Sequence, residues 1–208
     1  MKEEFLNFMK DLNGINYLKY HVAYFISPVL TGIKPASIMC IGNNHKRLLD
    51  LWKTHGEDFL NSINLKTILL RTTGKNEIVL IYREDKLLET LNNKENSSFL
   101  KKLGYINLNN ISDTLDYLYE RYNTHHCPHE IGIFLGIPLS DVEAFMNCES
   151  KQCLLCGYWK VFSNEEKAKE LFRIYDWSKE MVMSHSLLGK DIGWIAHTLR
   201  NTSLTQIY

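Results

Sequence analysis

Apolar residues recur along the chain at helical and strand-like periods, and their alternation predicts an ordered series of elements. Residues 17–31 are apolar enough for a buried helix, which Gly32 stops in a left-handed cap. Pro35-Ala-Ser-Ile-Met-Cys-Ile then reads as a short buried strand. Across 45–61, Leu48, Leu49, Leu51, Trp52, Phe59 and Leu60 fall mostly on one helical face. Two β-rich runs, Lys66–Arg71 and Glu77–Arg83, flank Thr73-Gly74-Lys75-Asn76, a hairpin signal. One or two short polar helices follow between 84 and 104, ended by Gly104. Ile111, Leu115, Leu118 and Tyr122 then form a helical stripe reaching His125.

The second half carries helix-start signals. Pro128 suits a first helical position, with Cys127 before it as the cap. Ser140-Asp-Val-Glu143 and Ser163-Asn-Glu-Glu166 have the form of capping boxes, the latter opening a helix through Ala168, Leu171, Phe172 and Tyr175. Cys156–Phe162 reads as a strand in which Trp159 and Lys160 point to opposite faces. Near the end, Ile192, Ile195 and Leu199 line a short amphipathic helix. The sum is an α+β, or mixed α/β, domain of seven or eight helices around a small, partly antiparallel sheet of about four strands. Without repeats or a Pro/Gly/Ser linker, residues 1–208 are expected to be a single domain.

Composition narrows the class of function. Lys plus Arg and Asp plus Glu number 24 each, so no global field draws the chain to nucleic acid or an anionic membrane. There is no run of about eighteen apolar residues to span a bilayer, and the start Met1-Lys-Glu-Glu-Phe lacks the apolar centre of a signal peptide. Five cysteines, an odd number, fit reduced thiols, so a cytoplasmic protein is expected. Eleven Tyr, nine Phe and four Trp suit an aromatic core or a pocket for a flat ligand.

Candidate chemistry gathers between His125 and Lys160, which holds four of the five cysteines and three of the eight histidines. At a helix start, Glu130 reaches back as a capping carboxylate, and the His129 ring is held neutral, available as a base or ligand. Cys153-Leu-Leu-Cys156-Gly157 has zinc-knuckle spacing, which Cys127 and His129 would complete. Zinc is therefore a possible cofactor; no other is indicated. The segment His129–Met146 also fits a helix-turn-helix template through Gly132, Gly136 and Val142. Its second helix presents Asp141, Glu143 and Asn147, however, so a packing corner is expected and nucleic acid is not a partner. Lys34 and Ser37 flank a turn that could meet an anion; Arg83 ends a strand. His21 reads as a core histidine. No phosphate loop, Gly-x-Ser-x-Gly elbow or His-Glu-x-x-His is present.

Several of these segments occur in combination elsewhere. Ile33-Lys-Pro-Ala-Ser, Tyr82-Arg83, Pro128-His-Glu-Ile-Gly-Ile-Phe-Leu-Gly-Ile-Pro, Asp141-Val and Gly157-Tyr-Trp-Lys-Val-Phe resemble a bacterial family known by its Pro-His-Glu motif, the domain of unknown function 3793 family. The resemblance covers 17–175, leaving 176–208 as a C-terminal extension. It implies that these segments mark a shared site or shared core, and it brings no activity with it. The resulting expectation is a small-ligand-binding domain. His129 and Glu130 would be its catalytic pair, and Lys34, Ser37, Arg83, Tyr158, Trp159 and Lys160 its ligand-binding residues. The rivals are a zinc protein using Cys127, His129, Cys153 and Cys156, and a non-catalytic interaction module. The pattern fixes neither a reaction nor an oligomeric state.

Overall fold

The structure is a computed structural model and describes residues 1–43, 45–147 and 152–202. Its centre is a three-stranded antiparallel sheet in the order β1-β3-β2: β1 (Ala36–Gly42), β2 (Lys66–Thr73) and β3 (Asn76–Tyr82). Ala36 pairs with Tyr82 and Gly42 with Asn76 across β1 and β3. The β2–β3 hairpin closes through Gly74 and Lys75, where Gly74 takes the positive φ (57°) that a tight two-residue turn demands. Because β3 is central, both its faces are buried: Val79 and Ile81 join one core cluster, Leu80 and Tyr82 the other.

Helices cover both faces. On the side of Val79 and Ile81 lie α2 (Gly14–Phe25), α3 (Ser27–Leu30) and α4 (Leu48–Ser62), with the C-terminal α10 (Glu165–Leu187) and α11 (Ile192–Asn201). The N-terminal α1 (Lys2–Asp11) packs on this layer through Phe5 and Met9. On the side of Leu80 lie α5 (Glu84–Asn92), α6 (Lys94–Lys102), α7 (Ile111–His125), α8 (Ile131–Phe134) and α9 (Leu139–Met146). A second, two-stranded antiparallel sheet, β4 (Leu155–Cys156) with β5 (Lys160–Val161), bridges α9 and α10. The fold is thus α+β, with helix layers on both faces of a small sheet.

Several elements differ from the sequence expectation, each for a local reason. The 17–31 helix is two, because Pro28 cannot donate to the ladder and α3 restarts around it. Gly32 still ends it at φ 76°. Cys127 caps nothing: the Ile131, Gly132 and Ile133 amides bond back three residues, to Pro128, His129 and Glu130, so the Pro-His-Glu segment is a turn before the short α8. Ser140 and Ser163 are not caps either. Their hydroxyls bond each other at 2.7 Å, and the cap of α10 is Asn164. Cys156–Phe162 is two short strands joined by a turn at Gly157–Trp159, not one strand, so Trp159 and Lys160 do not alternate across a sheet. The 129–146 region is the expected packing corner. Phe134 and Val142 are buried, Leu135 half-buried, and Phe145 is exposed. A Cβ on Gly132 would sit 2.8 Å from the Val142 methyl, so the two helices meet at a glycine.

Candidate functional site

The nominated residues are distributed over four places. The first is internal. Glu130 is 1% exposed, ion-paired with Arg121 of α7 and bonded by the Tyr105 hydroxyl at 3.4 Å. Burial, then the charge of Glu130, pushes the Tyr105 phenol up, and the bond to Glu130 raises Arg121 further. Tyr117 stands edge-on to Tyr105, its ring centre 4.7 Å away. The carboxylate is therefore committed to an interior ion pair that ties α7 to the turn before α8, and it is neither a helix cap nor open to a substrate. His129, beside it in sequence, faces outward. Its ring lies edge-on to Phe145 at 5.1 Å, and Lys160 Nζ lies 5.9 Å from the same Phe145 ring. His129 and Lys160 thus approach one aromatic surface, apart from Glu130.

The second place centres on Asp141, which the sequence put on an exposed acidic face. It is instead 2% exposed. Its Oδ2 accepts the Trp159 indole N–H at 2.8 Å; its Oδ1 accepts the amides of Phe162 and Ser163 and the Ser163 hydroxyl at 2.8–2.9 Å. Four donors on one carboxylate fix the β4–β5 hairpin to α9, and Trp159 is a structural clamp of that joint. Asp141 was detectable only as the acidic residue between Pro138 and a Trp-containing segment eighteen residues on; nothing local announces its burial.

The third place gathers the remaining cations. Lys34 follows Ile33 in the turn between α3 and β1, its amide bonded to the Pro28 carbonyl at 3.1 Å. Its half-buried ammonium lies 5.7 Å over the Tyr175 ring of α10. Burial, then the charge of Lys179, lowers its pKa to about 8. Tyr158 stands edge-on to Tyr175 at 5.1 Å. Its hydroxyl donates to Asp176 at 2.6 Å and accepts from Lys179 at 2.8 Å, and Lys179 also lies 4.4 Å over the Tyr158 ring. Burial lowers the Lys179 pKa, against the pull of Asp176. Desolvation, then the bond to Asp176, raises the Tyr158 phenol. Asp176 and Lys179 lie past Tyr175, the last residue whose periodicity predicts this helix, and are not among the residues nominated from the sequence. Arg83 lies nearby: its amide donates to the Pro35 carbonyl, its guanidinium packs on Gly32, and Nε donates to Asp85 at 2.9 Å. Ser37 is buried in β1 opposite Ile81 and takes part in none of the contacts that form this cluster.

Cys127, Cys153 and Cys156, the cysteines of the expected zinc set, form the fourth group. Cys127 is exposed after α7; burial, then the charge of Cys127, pushes the Tyr122 phenol up to about 12. Cys153 and Cys156 belong to the hairpin. Among the described residues no three His, Cys, Asp or Glu side chains stand where they could share a metal ion, so the zinc set gains no support. No helix among them is long and apolar enough to cross a membrane.

A cleft of about 650 Å³ lies beside the third cluster. Ile33 and Pro35, the neighbours of Lys34, line it together with Gly136, Lys167 and Leu171. Leu171, Tyr175 and Lys179 lie four residues apart along α10, one stripe running from the cleft to the lysines. The family model described as protein of unknown function (DUF3793) matches residues 22–196. The chain belongs to this family. The match takes in all four places, all of α10 and the first half of α11. For the DUF3793 chain described here, no curated protein and no solved structure gives a match.

Proposed function

We propose that this DUF3793 protein is a small-ligand-binding domain whose ligand carries an anionic group held by Lys34 and Lys179 beside the Tyr158 hydroxyl. The observation that carries this reading is Lys34. Among the described residues its half-buried ammonium makes no hydrogen bond or ion pair, only the approach to the Tyr175 ring. A cation withdrawn from water without a carboxylate is costly unless something else supplies the negative charge. Lys179 adds a second cation, and Asp176 neutralises only one of the two. An incoming carboxylate or phosphate would meet two ammonium groups and a phenol. The adjoining cleft, within the size range of small-molecule sites, has room for the rest of the ligand. His129 and Glu130 take no part in this reading, because Glu130 is already paired inside the fold.

The test is calorimetric titration with a panel of small carboxylates and phosphate monoesters against the native chain, Lys34→Met and Lys179→Met. At least one panel member is expected to bind, and each substitution to weaken it about tenfold or more, the loss of one charge-assisted contact. Equal binding to the native chain and Lys34→Met would reject the site.

A further inference from the structure

A second cavity, of about 350 Å³, lies on the outer side of the molecule between α1, α2 and the turn before α4. It shares no lining residue with the cleft or with the Lys34 cluster. Its walls are mostly rings. Phe5 meets Tyr24 at 5.4 Å, Tyr17 meets His21 at 5.3 Å and His45 at 5.6 Å, and His21 meets Phe25 at 4.9 Å. Leu6, Met9 and Met183 complete the apolar lining. At its rim Leu6 and Phe25 remain 54% and 50% exposed, apolar surface that the fold itself leaves open to water.

The polar groups of this cavity are specific in kind. Lys2 and Lys10 line it, and no carboxylate does. His21 shares its Nδ1 with the Tyr17 hydroxyl at 3.3 Å, leaving Nε2 without a partner among the described residues. Burial, then the nearby His45, lowers the His21 pKa to about 4, so the ring is neutral near pH 7 and offers hydrogen bonding without charge. The wall is also held in place. Lys46 Nζ caps the end of α1 by donating to the Met9 and Leu12 carbonyls at 3.1 and 2.5 Å, and it lies 5.0 Å over the Tyr17 ring. A preformed slot of this volume, ring-walled and bordered only by cations, matches one or two fused rings bearing a negative substituent.

We infer that this cavity is a binding site for a small planar aromatic acid, its rings among Phe5, Tyr17, His21 and Phe25 and its anionic group toward Lys2 and Lys10. Most of its lining precedes residue 22, where the family match begins, while Tyr24, Phe25, His45 and Met183 lie within the match. Its lining residues are different from those that hold the proposed anion at Lys34.

The experiment is a titration of the full chain with 2-naphthoate, followed by calorimetry and intrinsic fluorescence, with 2-naphthamide and cyclohexanecarboxylate as comparison probes. Saturable 2-naphthoate binding below about 1 mM is expected, with both comparison probes at least ~5-fold weaker. Phe25→Ala and Lys10→Ala, at exposed positions, should each weaken 2-naphthoate by about 5-fold or more, and Leu6→Arg should block the mouth. Lys34→Met should leave it unchanged, which separates failure here from failure of the anion site. The inference is overturned if 2-naphthoate does not saturate, if 2-naphthamide binds as well, or if Leu6→Arg and Phe25→Ala bind like the native chain.

Discussion

Lys34 carries a pH signature whose sign follows from its surroundings. Its ammonium titrates near 8 in the folded chain against an ordinary value of 10.5, because burial and Lys179 disfavour the charge. Between those values the unfolded chain binds more protons, so this group makes stability rise with pH from about 8 to 10.5. Lys34→Met should remove that rise and, at pH 7 without ligand, stabilise the fold by about 1–3 kcal/mol. Urea denaturation of both proteins at pH 7 and pH 10 checks this; parallel stability curves would contradict it. Asp141 behaves in the opposite way. The sequence assigned it to a solvated face, where Ala would matter little. Buried under four donors, Asp141→Ala should instead destabilise by about 2–4 kcal/mol, measured by the same denaturation, and should expose the Trp159 indole to a fluorescence quencher. A loss below about 0.5 kcal/mol would show that the clamp is not formed.

At the scale of elements, the β4–β5 hairpin is held by contacts remote in sequence. A Cβ on Gly157 would collide with the Phe172 ring, and Trp159 stands edge-on to that ring at 4.5 Å. Gly157→Ala should therefore destabilise by about 1–3 kcal/mol, and the loss should shrink markedly when Phe172 is Leu. Additive losses in that double-mutant cycle would contradict the packing. The same hairpin marks where sequence reading stops. The β2–β3 pair was legible because Gly74 and the flanking β-branched runs are local signals, and α7 because its stripe is regular. Gly157-Tyr-Trp-Lys has strand composition, yet Phe172 and Asp141, both distant, turn it. The Pro-His-Glu segment has helix-start composition, yet the pull of Arg121 on Glu130 keeps it a turn. Of the nominated site, Lys34 and Tyr158 converge, on Tyr175. Their helix partner Lys179 was hidden because α10 runs three turns past the last residue its apolar stripe announced.

For the whole molecule, two helix layers on one thin sheet leave few places for charge inside. Glu130 and Arg121 occupy one of them. Arg121→Met should destabilise by about 3–5 kcal/mol by stranding a buried carboxylate, and Arg121→Met with Glu130→Leu should recover most of the loss. Recovery of nothing in the double variant, seen in thermal or urea unfolding, would argue that the pair is more than a structural tie. The Lys34 turn, by contrast, borders the larger cleft through Ile33 and Pro35, and no carboxylate among the described residues pairs with its charge. The most direct test is a side-chain NMR titration of Lys34 with pH, with and without inorganic phosphate. A midpoint near 8 is expected, rising when phosphate occupies the site. A midpoint at the ordinary lysine value, unmoved by phosphate, would contradict it.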